Sequence, residues 1–454
     1  MSLNSILSIA RSALLTHQQA VDTASHNIAN ASTEGYSRQR LELSAADPLR
    51  TAQGTIGRGV TSDGVRRARD QFLDASYRQE SSLLGRFDTT RQLVAGLEDV
   101  LGEPGEAGLA VGLDSLLDAF SDLANDPSNL AARTVVRENA AALTHAFRST
   151  ADRLAGVGLD VIQRMRDDLA NVNALARDIA GLNQQIISAA HGHSAPDLED
   201  RRDMLIDQLS SLIDVQVVPH ERGTVGIVAG GALLVDGAQH GVLELRALAA
   251  GGQGIGVAGS GGPVALSGGS LKALSDLTTA TIPGLQRKLD QFARAVVTEV
   301  NAIHRSGRTA AGETGVDFFD PAGVTAHGMQ LSDAVRQSTA NIVTGGSGAA
   351  GDGALALQIA QLRSTAVGTA EGQTLAEYFN AMVASVGVLG RSAEVSATSQ
   401  DALLANIAAQ RSSVTDVSID EEMVALIKSQ QAFAAASKIV LAADDMIQSV
   451  LDMV

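Results

Sequence analysis

Apolar residues recur every seven positions at both ends of this chain. Near the start, Leu7, Leu14, Val21 and Ile28 form one line and Leu3, Ala10, His17, Ala24 and Ala31 a second. Near the end, Ile419, Leu426, Phe433, Val440, Ile447 and Val454 recur, accompanied by Met423, Gln430, Ser437, Asp444 and Leu451. Sustained heptads predict coiled-coil helices, and two of them at opposite ends of one chain predict that the ends pair. The expected seam takes Leu3, Leu7, Leu14, Val21 and Ile28 against Met423, Leu426, Phe433, Val440, Ile447 and Leu451. Small residues (Ala10, Ala24, Ser437) and polar ones (His17, Gln430, Asp444) dilute it. So diluted a seam buries too little surface to order both ends unaided, and termini that order on assembly are expected. His17 reads as hydrogen-bonded across the bundle, with pH-tuned assembly as the alternative.

Between the ends the period stays helical for long stretches. Leu83, Leu84, Phe87, Val94, Leu97 and Leu101 are helically spaced and stopped by Gly102-Glu103-Pro104-Gly105. Helices over Leu113 to Ala124 and Asn129 to Leu154 meet at Asn125-Asp126-Pro127-Ser128, where Pro127 ends one and Ser128 caps the next. Val161, Met165, Leu169, Val172, Ala176, Ile179, Leu182 and Ile186 predict a further long helix. After Ile213 the texture changes: Val215 to Val218, Thr224 to Val228 and Leu243 to Leu245 are short, β-branched and separated by glycine, which predicts strands. Helix returns from Leu271 through His304, gives way to an irregular Gly-rich stretch through Gly353, and resumes from Leu375 to the end. The predicted fold is mainly α, a nested long-helix bundle with paired terminal coiled-coil helices and a small inserted β domain. The predicted units are 1–36 with 418–454, 37–213 with 271–417, and 214–270, which part of 305–353 could join.

Composition narrows the picture. The chain has 454 residues, 45% of them apolar, enough for about three domains. With 34 Lys and Arg against 51 Asp and Glu, the formal charge is −17, which argues against nucleic-acid and anionic membrane partners. Cysteine is absent, so disulfides, thiolate nucleophiles and Cys-type zinc sites are excluded. Tryptophan is also absent and aromatics reach 3%, so aliphatic side chains and alanine must fill the cores. No stretch is long and apolar enough for a transmembrane helix, and Arg11 interrupts the first apolar run too early for a cleavable signal. Any export is expected to use another route.

Candidate chemistry is sparse. Gly254, Gly256 and Gly259 fit G-x-G-x-x-G, but Ser260-Gly261-Gly262-Pro263 follows where a dinucleotide site needs a helix, so a loop is the reading. His191 and His193 with Asp197 and Glu199 are metal-ligand types in no defined spacing, read as a solvated loop. Asp167-Asp168 and Glu421-Glu422 are adjacent on helices and read as solvated faces. No nucleophile elbow or H-E-x-x-H occurs. No catalytic, cofactor or metal site is expected.

The segment from Ser25 to Gln39 ends a helix with Asn27-Ile28-Ala29-Asn30, followed by Thr33-Glu34-Gly35-Tyr36-Ser37-Arg38-Gln39. Gly35 permits a positive φ there. This segment resembles the N-terminal signature of the bacterial flagellar axial proteins, the rod, hook and hook-associated family, in which N-x-x-N precedes T-x-G-Y. Tyr36-Ser37-Arg38-Gln39, Asn125-Asp126-Pro127-Ser128 and Gln410-Arg411 leading into Gln430-Gln431 point to the hook-associated branch. So does Asn301-Ala302-Ile303-His304 before Asp317-Phe318-Phe319. Glu34 stands where the family usually has proline, and Thr415-Asp416-Val417-Ser418 replaces the usual Ser-Gly-Val-Asn.

The resemblance implies a non-enzymatic structural protein between hook and filament, exported unfolded without signal cleavage and located outside the cell in the flagellum. The implied partners are further copies in a ring or helical layer, the hook protein, the filament-side junction protein and an export chaperone on the C-terminal region. Asn27, Asn30, Gly35, Tyr36, Arg38, Gln430 and Gln431 are the candidate inter-subunit residues. The alternatives are a hook or distal-rod protein, or an extracellular adhesin or enzyme carried on such a scaffold with its activity in the β insertion.

Overall fold

The computed structural model describes residues 3–51, 54–102, 108–189, 194–248, 252–259, 262–347 and 349–453. Eleven helices and ten strands make up its regular structure among the described residues. Helix α1 (Leu3–Asn30) and helix α11 (Ile419–Leu451) lie side by side as one two-helix unit. Their seam is narrower than the heptads predict. Ala10, Ala24, Ala436 and Ala443 are its fully buried apolar residues, while Leu7, Leu14, Val21, Ile28, Leu426, Val440 and Ile447 are half-buried. On α11 the second row therefore runs through Ser429, Ala436 and Ala443, three residues beyond Leu426, Phe433 and Val440. Met423 and Leu451 lie on the outer face, 45% and 66% exposed, and Phe433 is 38% exposed. Alanine decides this register, because its small side chain lets the helix axes approach closely. The side chain of Leu3 lies outside the described residues, and half-buried His17 makes no hydrogen bond among them.

A second antiparallel pair carries the first. Helix α2 (Gln71–Leu101) packs along α10 (Leu375–Thr415), with Arg411 on Asp74 at one end and Gly390 against Val94 and Glu98 at the other. Between α1 and α2 runs a segment that the helical reading of 37–213 omits: β1 (Gln39–Ala45) pairs antiparallel with β4 (Val60–Arg67), and β2 (Leu49–Thr51) with β3 (Gly54–Ile56).

Helix α3 (Leu109–Asn125) turns its leucines and Phe120 onto α4 (Leu130–Ala189). The sequence suggests two helices over 129–186, but α4 is one helix of 60 residues, about 90 Å long. A buried row from Val136 through Ile186 runs its whole length, so packing overrides the weak propensity of Gly156 and Gly158. Asn129, not Ser128, caps it, its Oδ1 accepting from the amides of Ala131 and Ala132; the Ser128 hydroxyl donates to Asp126 instead.

Helix α5 (Pro196–Leu212) crosses α2 so closely that a Cβ on Gly85 would stand 2.2 Å from the Ser211 carbonyl. The insertion then forms an antiparallel sheet of β5 (Gln216–Pro219), β6 (Val225–Ala229), β7 (Ala232–Asp236) and β8 (Gln239–His240), with a hairpin of β9 (Leu243–Ala247) and β10 (Gln253–Val257). Gly254 and Gly256 are strand residues of β10 opposite Arg246 and Glu244. Helices α6 (Ser270–Asp276), α7 (Ile282–Arg305), α8 (Asp333–Gln337) and α9 (Ala354–Gln361) complete the body. Its centre holds Phe147 against Phe292 and Phe120 against Phe318, each pair with ring centroids 5.2 Å apart. Among the described residues no helix is long and apolar enough to cross a membrane.

Candidate functional site

The two chain ends meet the body at the turn after α1. Asn27, 1% exposed, closes α1 with every polar atom of its amide engaged. Its Nδ2 donates to the Gln39 carbonyl at 2.8 Å and to Glu422 Oε2 at 2.9 Å. Its Oδ1 accepts from the Tyr36 hydroxyl at 2.7 Å and the Gln39 amide at 2.9 Å. Burial, then the negative charges of Asp197, Asp200 and Glu422, hold the Tyr36 hydroxyl well above the ordinary tyrosine pKa, so it is a permanent donor here.

Glu422 corrects the reading of Glu421-Glu422 as a solvated face. It is 4% exposed, takes Arg38 Nε at 2.7 Å, and leaves Glu421 to accept Arg38 Nη1 at 2.7 Å from the surface. The Arg38 amide donates to the Thr415 carbonyl at 2.8 Å, which ties the end of α10 into the same turn. Burial lowers the guanidinium pKa, but Glu421 and Glu422 together raise it above its usual value. Of the other adjacent pair, Asp167 is exposed and Asp168 accepts from the Ser270 hydroxyl at 2.5 Å.

A second layer lies beneath. Asp200, Asp203 and Asp207 share one face of α5 by their three- and four-residue spacing. The Ser37 amide and hydroxyl donate to Asp200 at 2.9 and 2.7 Å. Arg67 donates to Asp200 at 2.8 Å and to Asp203 at 2.7 Å and pairs with Glu199 at 2.9 Å. Arg78 reaches Asp207 at 2.7 Å, and Arg411 bridges Asp74 and Asp207 at 2.8 and 2.6 Å over the ring of Tyr77. Burial alone would raise the Asp203 pKa; Arg67, Arg202, Arg69 and Arg78 instead hold it down to about 2. These charges join the turn after α1, β4, α2, α5 and the end of α10 in one network.

The residues singled out at the start thus divide. Asn27, Tyr36 and Arg38 are brought together with Glu422 inside the chain. Gly35 shapes the turn at φ +76, with a built Cβ 3.0 Å from Met204 Sδ. Asn30 is half-buried and donates to the His26 carbonyl at 3.0 Å. Gln430 and Gln431 are exposed on α11, apart from the latch. Asp200, Asp203 and Asp207 are the functional residues the sequence reading leaves out, although their spacing on α5 is a usable signal; Gln39 enters it only within the motif and Glu422 only as a surface carboxylate. His191 and His193 lie outside the described residues, among which no cluster of three metal-ligating side chains occurs.

Three stretches match family models: residues 7–36 the flagella basal body rod protein, 94–319 the flagellar hook-associated protein FlgK helical domain, and 408–453 the C-terminal region of the flagellar basal body rod FlgEFG proteins. All three models are of axial components of the bacterial flagellum, and the two terminal ones fall on the paired helices α1 and α11. Flagellar hook-associated protein 1 of Bacillus subtilis is 30% identical over 98% of this chain and 97% of its own length. The protein of that name from Salmonella typhimurium is 29% identical over 70% of this chain, which spans 59% of that relative. The flagellar hook junction protein FlgK from Burkholderia pseudomallei shares the fold, with a TM-score of 0.67 at 17% identity over 75% of this chain and all of that one. The chain belongs to the flagellar hook-associated protein 1 family. It is a structural, non-enzymatic protein of the hook–filament junction, part of the extracellular flagellum.

Proposed function

We propose that the α1–α11 unit is the assembly element of this junction protein, and that the Asn27–Glu422–Arg38 latch sets its angle to the body so that copies pack side by side in one layer. The observation that carries this reading is the outer face of α11. Met423, Val424, Ile427, Ile439, Leu441, Met446 and Leu451 are each 45–66% exposed, more apolar surface on one helix than a monomer ordinarily leaves bare. Head-to-tail packing of such faces builds rings or helical layers rather than closed dimers. The hook protein on one side, the filament-side junction protein on the other and neighbouring copies within the layer are the partners this face and Gln430 and Gln431 would meet. An export chaperone would cover the same face beforehand.

The test is complementation of a clean deletion in the source bacterium. Cells lacking the gene are expected to carry hooks without filaments and to lose flagellin to the medium. A chain with Val424, Ile427 and Leu441 changed to serine should fail to restore filaments while folding as a monomer. Full restoration of filaments by that variant would sink the proposal.

A further inference from the structure

The four-stranded sheet ends at β5, whose outer edge faces the start of α2 across a cleft of about 1560 Å³. Small-molecule pockets occupy roughly 300–1,000 Å³, so this cleft suits a polymer segment. His220 donates to the Thr224 carbonyl at 2.9 Å, and the β5–β6 register places Val218 and Gln216 opposite Gly226 and Val228. Alternation of the antiparallel ladder therefore turns the N–H and C=O of Val217 outward, toward the cleft that Val217 lines. Pro219 takes the next outward position, where it has no N–H to offer. The side chains of Val215 and Val217 pack on the core, so β5 presents backbone to the cleft.

The unpaired charge of the lining is positive and lies at the mouth. Of the six arginines among the described lining residues, Arg66 pairs with Glu42 and Arg67, Arg69, Arg78 and Arg202 with the carboxylates of the network, which leaves Arg222. Arg78 Nη2 and Arg202 Nε are buried donors with no hydrogen-bond acceptor, on side chains only 8% and 5% exposed. At the mouth, Arg222 is exposed and makes no hydrogen bond or ion pair among the described residues. It is held at φ 58, a backbone conformation that costs a non-glycine residue energy and clusters at binding sites.

We infer that this cleft binds an extended acidic peptide segment of another protein, which adds to the free edge of β5 as a fifth strand and sets a carboxylate beside Arg222. Backbone pairing supplies affinity in such strand addition, and the charged mouth supplies selectivity.

The test is fluorescence anisotropy of a labelled ten-residue peptide alternating valine and glutamate, titrated with the full chain. Saturable binding is expected, weakened at least about tenfold for the lysine counterpart and for a glutamate peptide N-methylated at alternate residues. Arg222→Gly, which suits the positive φ, should weaken binding about fivefold or more without lowering the unfolding temperature. Val217→Pro, at an edge position that donates nothing to β6, should do the same. Equal binding of the lysine peptide, or binding indifferent to methylation and both variants, overturns the assignment. Self-association of the chain that Arg222→Gly abolishes, with no peptide bound, gives the cleft to a second copy and overturns it equally.

Discussion

The amide of Asn27 donates to the carboxylate of Glu422 at 2.9 Å across 395 positions of sequence. That bond joins the last turn of the first helix to the first turn of the last one, and its other partners, Tyr36, Gln39 and Arg38, all lie in the connection to the body. A chain whose ends must leave the body in one fixed direction gains from this arrangement. A buried polar group that is satisfied in one geometry only leaves the alternatives with orphaned donors.

Asn27→Ala should loosen the terminal pair without unfolding the body. It strands the Tyr36 hydroxyl, the Gln39 amide and carbonyl and one Glu422 oxygen, for a total cost of about 2–4 kcal/mol, since water reaches part of the turn. Amide exchange measured by mass spectrometry is expected to rise at least about tenfold in α1 and α11 and to stay unchanged in α4. Equal acceleration throughout would mean that the latch and the body unfold as one unit.

Asp203 makes the network acid-sensitive in a defined direction. Its folded pKa of about 2 lies below the ordinary 3.8, so its contribution is complete above about pH 4 and is lost as pH falls through 2. Asp203→Asn removes that dependence and leaves Arg67 and Arg202 short of a counter-charge, at about 3–5 kcal/mol. Urea unfolding from pH 2 to 7, with and without the substitution, reads both effects.

The imidazole of His304 acts at a higher pH. It is fully buried, bonded through Nδ1 to the Val316 carbonyl at 2.7 Å and through Nε2 to the Val343 amide at 2.9 Å. Since Nε2 accepts, the ring is neutral, and burial lowers its pKa from 6.5 to about 4. The unfolded chain takes up the proton first, so this clamp on the Gly-rich stretch is at full strength above pH 6.5 and weakens between pH 6.5 and 4. Protection factors around Val316 and Val343, with exchange referred to the intrinsic rate at each pH, should fall as pH drops across that interval in the natural chain. With His304→Ala they should be low and nearly constant there.

Heptads made the pairing of the ends legible, because period is a property of sequence alone. The register was not, since Leu426 has both Ser429 and Gln430 as neighbours on a helix, and only packing against α1 selects the row in which Ala436 and Ala443 are buried. The β insertion was marked by β-branched runs and glycines. Strands β1 and β4 were missed between two strong helical signals, although Leu41 and Leu43 alternate with polar residues. Asn27, Tyr36 and Arg38 stood out by resemblance, yet Glu422 looked like any surface carboxylate. Its burial comes from a partner nearly four hundred residues away, which no local pattern records.

Gly35→Ala tests how tightly the turn after α1 is drawn. The residue sits at φ +76, and an added Cβ would press on Met204 Sδ at 3.0 Å. A flexible methionine end can yield, so the cost is chiefly conformational, about 1 kcal/mol. A melting temperature lowered by a few degrees is expected, with Met204→Ala restoring little of it. Substantial rescue by Met204→Ala would assign the effect to crowding instead.

Ala443 and Leu441, two residues apart on α11, separate the inner seam from the outer face. Ala443 is fully buried and Leu441 is 64% exposed. Ala443→Leu drives an isobutyl group into a fully buried position between the two helices, at about 1–3 kcal/mol for overpacking. It should lower the unfolding temperature of the purified monomer and abolish filament attachment in cells. Leu441→Ser removes no intrachain contact of the seam and should change monomer stability by less than about 0.5 kcal/mol, yet reduce attached filaments if neighbouring subunits pack on that face. Loss of filaments with an unchanged monomer is therefore the result that distinguishes docking from folding. Normal filaments with Leu441→Ser and none with Ala443→Leu would confine the role of α11 to its pairing with α1.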